Sequence, residues 1–310
     1  MITRSQAPGS LLRPVDALGL GFLGVVLCGT LAALSRGVDG AAQAAATLAV
    51  SILGMFGLRL LGGRASKGRS RTLQRIGQTA AGFAPAAMIP VYWCLNPSFD
   101  LLSPRLRDPL LIDADQWLFG VQPSVWLERV LSPPFEEYLL ICYFLFFWLL
   151  GGYALYLFVF RPALFDDWVT HLVSFFVITM TLYLFLPAIG PRFTLASQYA
   201  QPLRGVRFGA AIWDTFLRVP FYRDCFPSGH TAGTLCLLAY TWRHTRGVFV
   251  VILPIALGTI QATVLCRFHY GIDLLAALAV PFAVFGLAGA LQRRQAVAVA
   301  SPATGPLIAG

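Results

Sequence analysis

Apolar runs near 20 residues long recur throughout this 310-residue chain. A run of that length crosses a hydrocarbon core about 30 Å thick as one α-helix. Only 12% of the residues are charged, whereas about one quarter are charged in an ordinary soluble domain. The runs are continuous and lack the alternation over about ten residues that is typical of membrane β-barrels. The sequence therefore predicts an all-α fold, a polytopic membrane helical bundle.

The lengths of the apolar runs predict eight membrane spans. They lie at 16–35, 41–61, 77–95, 138–160, 168–187, 228–244, 247–264 and 269–291. The first three spans contain no recognisable motif. We therefore divide the chain into N-terminal transmembrane helices of unassigned role, residues 1–100, and a membrane domain that carries the chemistry, residues 101–295.

The distribution of basic residues predicts how the spans are oriented. The segment 59–75 contains six basic residues and no acidic one, so the positive-inside rule places it in the cytoplasm. With eight spans, both termini are then cytoplasmic, and segments 96–137 and 188–227 are extracytoplasmic. We expect a multi-pass protein of the cell (inner) membrane. Membrane insertion accounts for the net charge of +9 better than a nucleic-acid partner does.

The two extracytoplasmic segments have different characters. The stretch "DQWLFGVQPSVWLERVL" predicts a helix or helical hairpin in the membrane interface, with Trp117 and Trp126 at headgroup depth. A plain interfacial anchor is favoured over a lid that covers an active site. The second segment carries positive charge on the side where insertion does not favour it, which indicates an anionic substrate. Its arginines are Arg192, Arg204, Arg207, Arg218 and Arg223.

Three polar clusters fall on this same predicted face: "LPAIGPRF" with Arg192, "CFPSGHT" at the start of span six, and "TVLCRFHYGIDLLA" at the start of span eight. In the second cluster, Ser228 can cap the helix and Gly229 lets the backbone approach a ligand closely. The free N–H groups of a helix N-terminus favour an anion such as phosphate. His230 would stand beside that anion as a proton donor.

In the third cluster, His269 and Asp273 are four residues apart, so a helix places them on one face. An aspartate that accepts a hydrogen bond from one imidazole nitrogen frees the other nitrogen as a nucleophile. A carboxylate one turn into an apolar helix is costly without a partner, and His269 is the obvious one. Arg267 adds a planar donor suited to phosphate oxygens.

These motifs together resemble the type 2 phosphatidic acid phosphatase superfamily. The residues that carry the resemblance are "GPR" at 190–192, "PSGH" at 227–230 and "HYGID" at 269–273, within about 165–285. The segment "WLFGVQPS" is similar to bacterial members of the branch related to inositol phosphorylceramide synthase. The resemblance implies that His269 attacks phosphorus, Asp273 orients it and His230 protonates the leaving alcohol. It also implies a phosphate cradle of Arg192, Arg267, Ser228 and the backbone of Gly229.

The sequence departs from the superfamily pattern in its phosphate cradle. The common motif Lys-x6-Arg-Pro is absent, because the one lysine, Lys67, falls in the cytoplasmic loop. Thr263 occupies the position six residues before the histidine, where an arginine is usual. Arg267, two residues before that histidine, is instead similar to the synthase-like branch.

The implied function is hydrolysis of a lipid phosphate or diphosphate, with membrane lipids as the other partners. A phosphotransferase that moves a headgroup between lipids is the alternative. Hydrolysis is favoured because water is always present at an outward-facing site and must be excluded deliberately. The sequence leaves open which lipid is the substrate and what the oligomeric state is.

Other classes of protein fit the pattern less well. A transporter or structural membrane protein is expected to have polar groups at mid-span or broken helices. The polar clusters of this chain instead lie at one predicted face of the membrane. A bis-histidine haem protein would need a mate for His269 near position 283, which is Ala283. No metal and no cofactor is implied. Cys225 and Cys266 could form a disulfide, but two unrelated small residues are the favoured interpretation.

Overall fold

The computed structural model describes residues 12–66, 105–218 and 223–300, with a few scattered positions between 70 and 103. Within these ranges the regular secondary structure is helical and contains no strand. Several of the helices are long and apolar enough to cross a membrane. The prediction of an all-α, polytopic membrane bundle is therefore confirmed.

The described helices range from 4 to 26 residues in length. In chain order they are α1 (Pro14–Leu34), α2 (Ala41–Ser66), α3 (Asp108–Phe119), α4 (Pro123–Trp126), α5 (Pro133–Phe144), α6 (Phe146–Phe160), α7 (Pro162–Phe185), α8 (Pro191–Thr194), α9 (Gly209–Arg218), α10 (Gly229–His244), α11 (Arg246–Leu265), α12 (Gly271–Ala277) and α13 (Val280–Ala300). Short 3₁₀ helices cover Leu127–Val130 and Ala196–Gln198.

Five candidate spans agree with the predicted first, second, fifth, seventh and eighth spans. They are Pro14–Leu34, Ala41–Gly62, Pro162–Phe185, Arg246–Leu265 and Gly271–Ala298. The predicted fourth span corresponds to α5 and α6, which together form a broken candidate bent by 48°. The predicted sixth span corresponds to α10, which has 16 residues and is shorter than the five candidate spans. The predicted third, 77–95, lies outside the described residues apart from scattered positions, so the total of eight stays a prediction.

The chain forms two compact units. The first comprises Met1–Cys94, Leu157–Val177 and Phe285–Gly310, and it buries a cluster of charges. Arg59 donates to Asp16 at 2.6 Å, and Arg13 donates to Asp166 at 2.8 Å. Charges in membrane helices are costly unless opposite charges meet them. These two pairs therefore link α1, α2 and the start of α7 without a net charge.

The second compact unit comprises Leu95–Tyr156 and Ile178–Val284, and it contains all three sequence motifs. A buried apolar cluster joins α5, α9 and the end of α11. Its members are Leu139, Leu140, Tyr143, Leu203, Trp213, Ala262, Leu265, Cys266 and Phe268. Close packing of such side chains stabilises contacts between membrane helices through van der Waals attraction. The cluster ends at Phe268, directly before His269.

Candidate active site

The predicted pair of His269 and Asp273 forms in the structure and is buried. Nδ1 of His269 lies 3.2 Å from Oδ2 of Asp273 and 2.7 Å from the backbone carbonyl of Cys225. A carbonyl oxygen can only accept, so Nδ1 must carry the ring proton. In the neutral ring Nε2 then carries the lone pair, which a nucleophile or base requires.

The turn after α11 sets the backbone of His269. Arg267 adopts a left-handed conformation with φ of 64°, which reverses the chain. The N–H groups of Phe268 and His269 then both donate to the carbonyl of Thr263, at 3.0 and 2.7 Å. Thr263 is the residue that stands where the superfamily usually has an arginine. In this chain it contributes a backbone carbonyl that places His269.

His230 is the second residue of α10, and its ring lies 6.2 Å from the ring of His269, measured between centroids. The imidazole stacks on Tyr143 at 3.9 Å with an interplanar angle of 15°. Phe146 also packs against His230, with 4.4 Å between ring centroids and an interplanar angle of 41°. The aromatic contacts hold the second histidine next to the first, as the two motifs predict.

The start of α10 is capped as predicted, and Gly229 has a packing role. The hydroxyl oxygen of Ser228 accepts from the N–H of Thr231 at 3.2 Å. A side chain at Gly229 would collide with the hydroxyl of Tyr183. The N–H of Ser228 also donates to the carbonyl of Asp273 at 3.3 Å, which ties the second motif to the third. The phosphate contacts of Ser228 and Gly229 stay predictions.

The GPR motif is joined to the third motif through its backbone. Gly190 has φ of +90°, and a Cβ there would lie 2.6 Å from the carbonyl oxygen of Phe268. The N–H of Arg192 donates to the carbonyl of Arg267 at 2.8 Å. The guanidinium carbon of Arg192 lies 5.2 Å from the ring centroid of Phe268. Arg192 thus lies beside Phe268, the residue before His269, and its charge acts on His230.

Arg267 is directed to a protein carboxylate. Its Nη2 atom donates to Glu128 at 2.9 Å and to the carbonyl of Gln201 at 2.6 Å. The guanidinium lies over the ring of Tyr199. Burial lowers the pKa of Arg267, while the charge of Glu128 acts in the opposite direction. These contacts give Arg267 a role in holding the turn before His269. A contact with phosphate stays a prediction.

The sequence reasoning missed the carboxylates of α3. Asp108 accepts hydrogen bonds from the N–H of Gly190 at 2.8 Å and from the hydroxyl of Tyr270 at 2.9 Å. Asp115 accepts from the N–H groups of Gly271 and Ile272, at 2.8 and 2.7 Å. Burial raises the pKa of Asp115, and these two N–H groups oppose the rise. One helix therefore holds both the first and the third motif.

A signal for these carboxylates was present in the sequence. Asp108 and Asp115 are seven residues apart, so a helix places them two turns apart on one face. In the structure both are buried with Leu111, while Trp117 is 85% exposed and Leu110 is 63% exposed. The polarity of α3 is thus reversed, with carboxylates inward and apolar side chains outward. The location of α3 in the membrane interface stays a prediction.

One group of side chains has the composition of a metal site. Sγ of Cys225, Nδ1 of His269 and Oδ2 of Asp273 all lie within 4.8 Å of one another. These are ligand types that zinc takes. In the structure the thiol and the imidazole both donate to Oδ2 of Asp273, and the imidazole also donates to the carbonyl of Cys225. Cys225 and Cys266 are both free thiols.

Comparison with known proteins gives one match. The sequence family described as the PAP2 superfamily matches residues 109–287, which is more than half of the chain. The matched range begins in α3 and includes all three motifs. No curated protein and no solved structure matches the chain.

Proposed function

Because the chain belongs to the PAP2 superfamily, whose members are generally phosphatases and phosphotransferases, we propose that it hydrolyses a lipid phosphate or diphosphate through a phosphohistidine. The observation that carries the proposal is the state of His269. Its Nδ1 proton is fixed by the carbonyl of Cys225 and the carboxylate of Asp273, and the lone pair on Nε2 is free to attack.

The reaction has two balanced steps. Nε2 of His269 forms a bond to phosphorus, the bond from phosphorus to the leaving oxygen breaks, and His230 gives a proton to that oxygen. Water then attacks the phosphohistidine, gives a proton to His230 and releases phosphate and free His269. Asp273 keeps the imidazole in its tautomer and stabilises the positive charge that develops on it. The free enzyme is restored without a cofactor.

The phosphate oxygens carry negative charge that the site must stabilise. Arg192 lies beside Phe268, its charge acts on His230, and its guanidinium is suited to phosphate. The N-terminus of α10 adds backbone N–H groups and a favourable dipole beside His230. We assign both to the phosphate, with Ser228 and Gly229 contributing through the start of α10. Arg267 can contact the phosphate only if its ion pair with Glu128 is broken.

We place the site on the extracytoplasmic side of the cell (inner) membrane, with both termini in the cytoplasm. The basic composition of 59–75 supports this orientation through the positive-inside rule. Attaching a reporter enzyme that is active on only one side of the membrane to either terminus tests it. Cytoplasmic activity is expected for both fusions.

Transfer of the phospho-headgroup to another lipid is the second candidate. The exposed fraction of His269 is only 3%, and Asp273 is fully buried. A water-poor site of this kind suits an alcohol acceptor. The two functions are separated by purified protein in detergent with a labelled lipid phosphate, with and without inositol or diacylglycerol. Release of phosphate without an acceptor supports hydrolysis, and turnover only with an alcohol supports transfer.

The mechanism is tested by substitution. His269→Ala should abolish turnover, with a loss of about 10⁴-fold or more, and His230→Ala should nearly abolish it. Asp273→Asn should give a folded enzyme that is about 10²–10⁴-fold slower. Label from the substrate should stay on the wild-type protein after denaturation in alkali and be absent from His269→Ala. Full activity of His269→Ala at normal expression would overturn the mechanism.

A further inference from the structure

Cys225 lies in the segment that carries the second motif, and it is bonded to, or packed against, the first and the third. Its N–H donates to the carbonyl of Ala188 at 3.1 Å, just before the GPR motif. Its sulfur would lie 3.2 Å from a Cβ on Gly190, so that glycine makes room for it. Its carbonyl accepts from Nδ1 of His269 at 2.7 Å. Cys225 itself lies two positions before Pro227, the first residue of the PSGH motif.

The thiol is directed at the same pair as the carbonyl. Sγ lies 3.0 Å from Oδ2 of Asp273 and 3.5 Å from the carbonyl oxygen of Phe268. Both partners are acceptors, so the thiol is the donor. Burial raises the pKa of Cys225 well above its ordinary value, and the charge of Asp273 adds to the rise. The sulfur therefore keeps its proton.

The hydrogen bonds of Asp273 fall on one oxygen. Oδ2 accepts from Nδ1 of His269, from the N–H of Tyr270 at 3.0 Å and from the thiol of Cys225. Oδ1 is buried and has no hydrogen-bond partner among the described residues. The orientation of this carboxylate therefore depends on three donors, and Cys225 is the one that the motifs do not account for.

We propose that Cys225 is a positioning residue of the His269–Asp273 pair, an inference that rests on the proposed function. Its thiol holds the carboxylate of Asp273, and its carbonyl holds the Nδ1 proton of His269. A thiol is a weak donor, so it orients the carboxylate and leaves most of its acceptor strength to the imidazole. Partners of this kind commonly change activity 10- to 100-fold when they are removed from sites that bind metals through histidine.

A buried cysteine can also act as a small apolar residue that only fills space. The two roles predict opposite orders of activity. If the thiol donates, Cys225→Ser keeps a donor and retains most of the activity, while Cys225→Val fills the space without a donor and loses about tenfold or more in kcat. If the thiol only fills space, the valine variant is the better enzyme. Cys225→Ala should resemble the valine variant.

Cys266 provides the matched control. It is fully buried in the apolar cluster beside Phe268, and no side-chain hydrogen bond is seen for it among the described residues. Cys266→Ala should lower stability but leave kcat per folded molecule unchanged. Measuring folded protein by size-exclusion chromatography in detergent separates the two effects.

The pH profile gives a readout that packing would not change. A carboxylate that has lost a donor takes up a proton more readily, so the acidic limb of kcat should move to higher pH in Cys225→Val, with KM nearly unchanged. Cys225→Ser should keep the limb near its wild-type position. The other groups that act on Cys225 or Asp273 are the same in all variants. They are Asp108, Asp115, Tyr143, Tyr183, Asp224, His269 and Tyr270.

The outcomes distinguish this inference from the function on which it rests. A valine variant at least as active as the serine variant, with an unmoved acidic limb, would overturn the role of Cys225 even if His269→Ala is inactive. Activity in His269→Ala would instead overturn the proposed function. Serine above valine, with the shifted limb and an inactive His269→Ala, supports both.

Discussion

The two compact units satisfy their buried charges with different partners. In the first, the carboxylate of Asp16 meets the guanidinium groups of Arg59 and Arg13, so charge is opposed by charge. In the second, the carboxylates of Asp108 and Asp115 meet backbone N–H groups and a tyrosine hydroxyl. An ion pair joins one helix to another and neutralises both groups. A carboxylate that accepts from backbone N–H groups instead fixes the main chain.

This difference indicates what each arrangement does. Helices that cross a membrane already satisfy most of their own backbone groups, so a buried charge there is met mainly by other side chains. At the start of α1 the N–H of Arg13 also donates to Asp16, at 2.8 Å. The connections between helices in the second unit leave N–H groups that need acceptors. Carboxylates supply those acceptors at the places where the motifs must be held. Ion pairs should therefore govern stability, and the N–H-bound carboxylates that hold the motifs should govern activity.

The largest effect is expected in the first unit. Arg59→Ala removes the 2.6 Å partner of Asp16 and leaves a buried carboxylate with Arg13 alone. Breaking a buried pair in this way costs about 3–5 kcal/mol. The free energy of unfolding in detergent measures the loss, and kcat per folded molecule should not change. Arg64→Ala, an exposed position on the same helix, is the control. Equal stability of the two variants would contradict the comparison.

A smaller change in stability, with a change in activity, is expected for Asp115→Asn. The amide nitrogen cannot accept, so the N–H of Gly271 or of Ile272 loses its acceptor at a cost of about 1–3 kcal/mol. Because Asp273 follows directly, kcat should fall about tenfold or more. Asp113→Asn changes an exposed residue of the same helix and should match the wild type. If both variants keep full kcat, α3 does not position the third motif.

The smallest effect is expected for Glu137→Gln. The carboxylate of Glu137 accepts from the N–H groups of residues 206–209. Losing part of this set should cost about 1 kcal/mol, which is roughly fivefold in the local opening equilibrium. Limited proteolysis within 204–209 should be faster by that factor, with kcat unchanged. Asp214→Asn, exposed on α9, is the control, and equal cleavage rates would show that the carboxylate does not hold this loop.

Local spacing made part of the site predictable. The four-residue separation of His269 and Asp273 placed them on one side of a turn, and the structure has them 3.2 Å apart. Ser228 was predicted to cap α10, and its hydroxyl does so. Both interactions are made within a few residues of chain, where backbone geometry alone limits the choices.

The partners from distant parts of the chain were not predictable in this way. Asp115 lies 156 residues from Gly271, and Cys225 lies 48 residues from Asp273. In the sequence the first was one acid among many in a loop, and the second was a small residue near a histidine. Arg267 has a guanidinium that suits phosphate as well as carboxylate, and only the structure places it on Glu128.

The sequence by itself determined that the chain is a membrane helical bundle and that three polar motifs carry its chemistry, because the length of an apolar run and the spacing within a turn are local properties. The tertiary structure decided the tautomer of His269, through the carbonyl of Cys225, and the donors that hold Asp273. These depend on which buried groups meet across the fold. A buried polar group takes whichever partner packing brings within about 3 Å, because leaving it unpaired costs more than the bond gains.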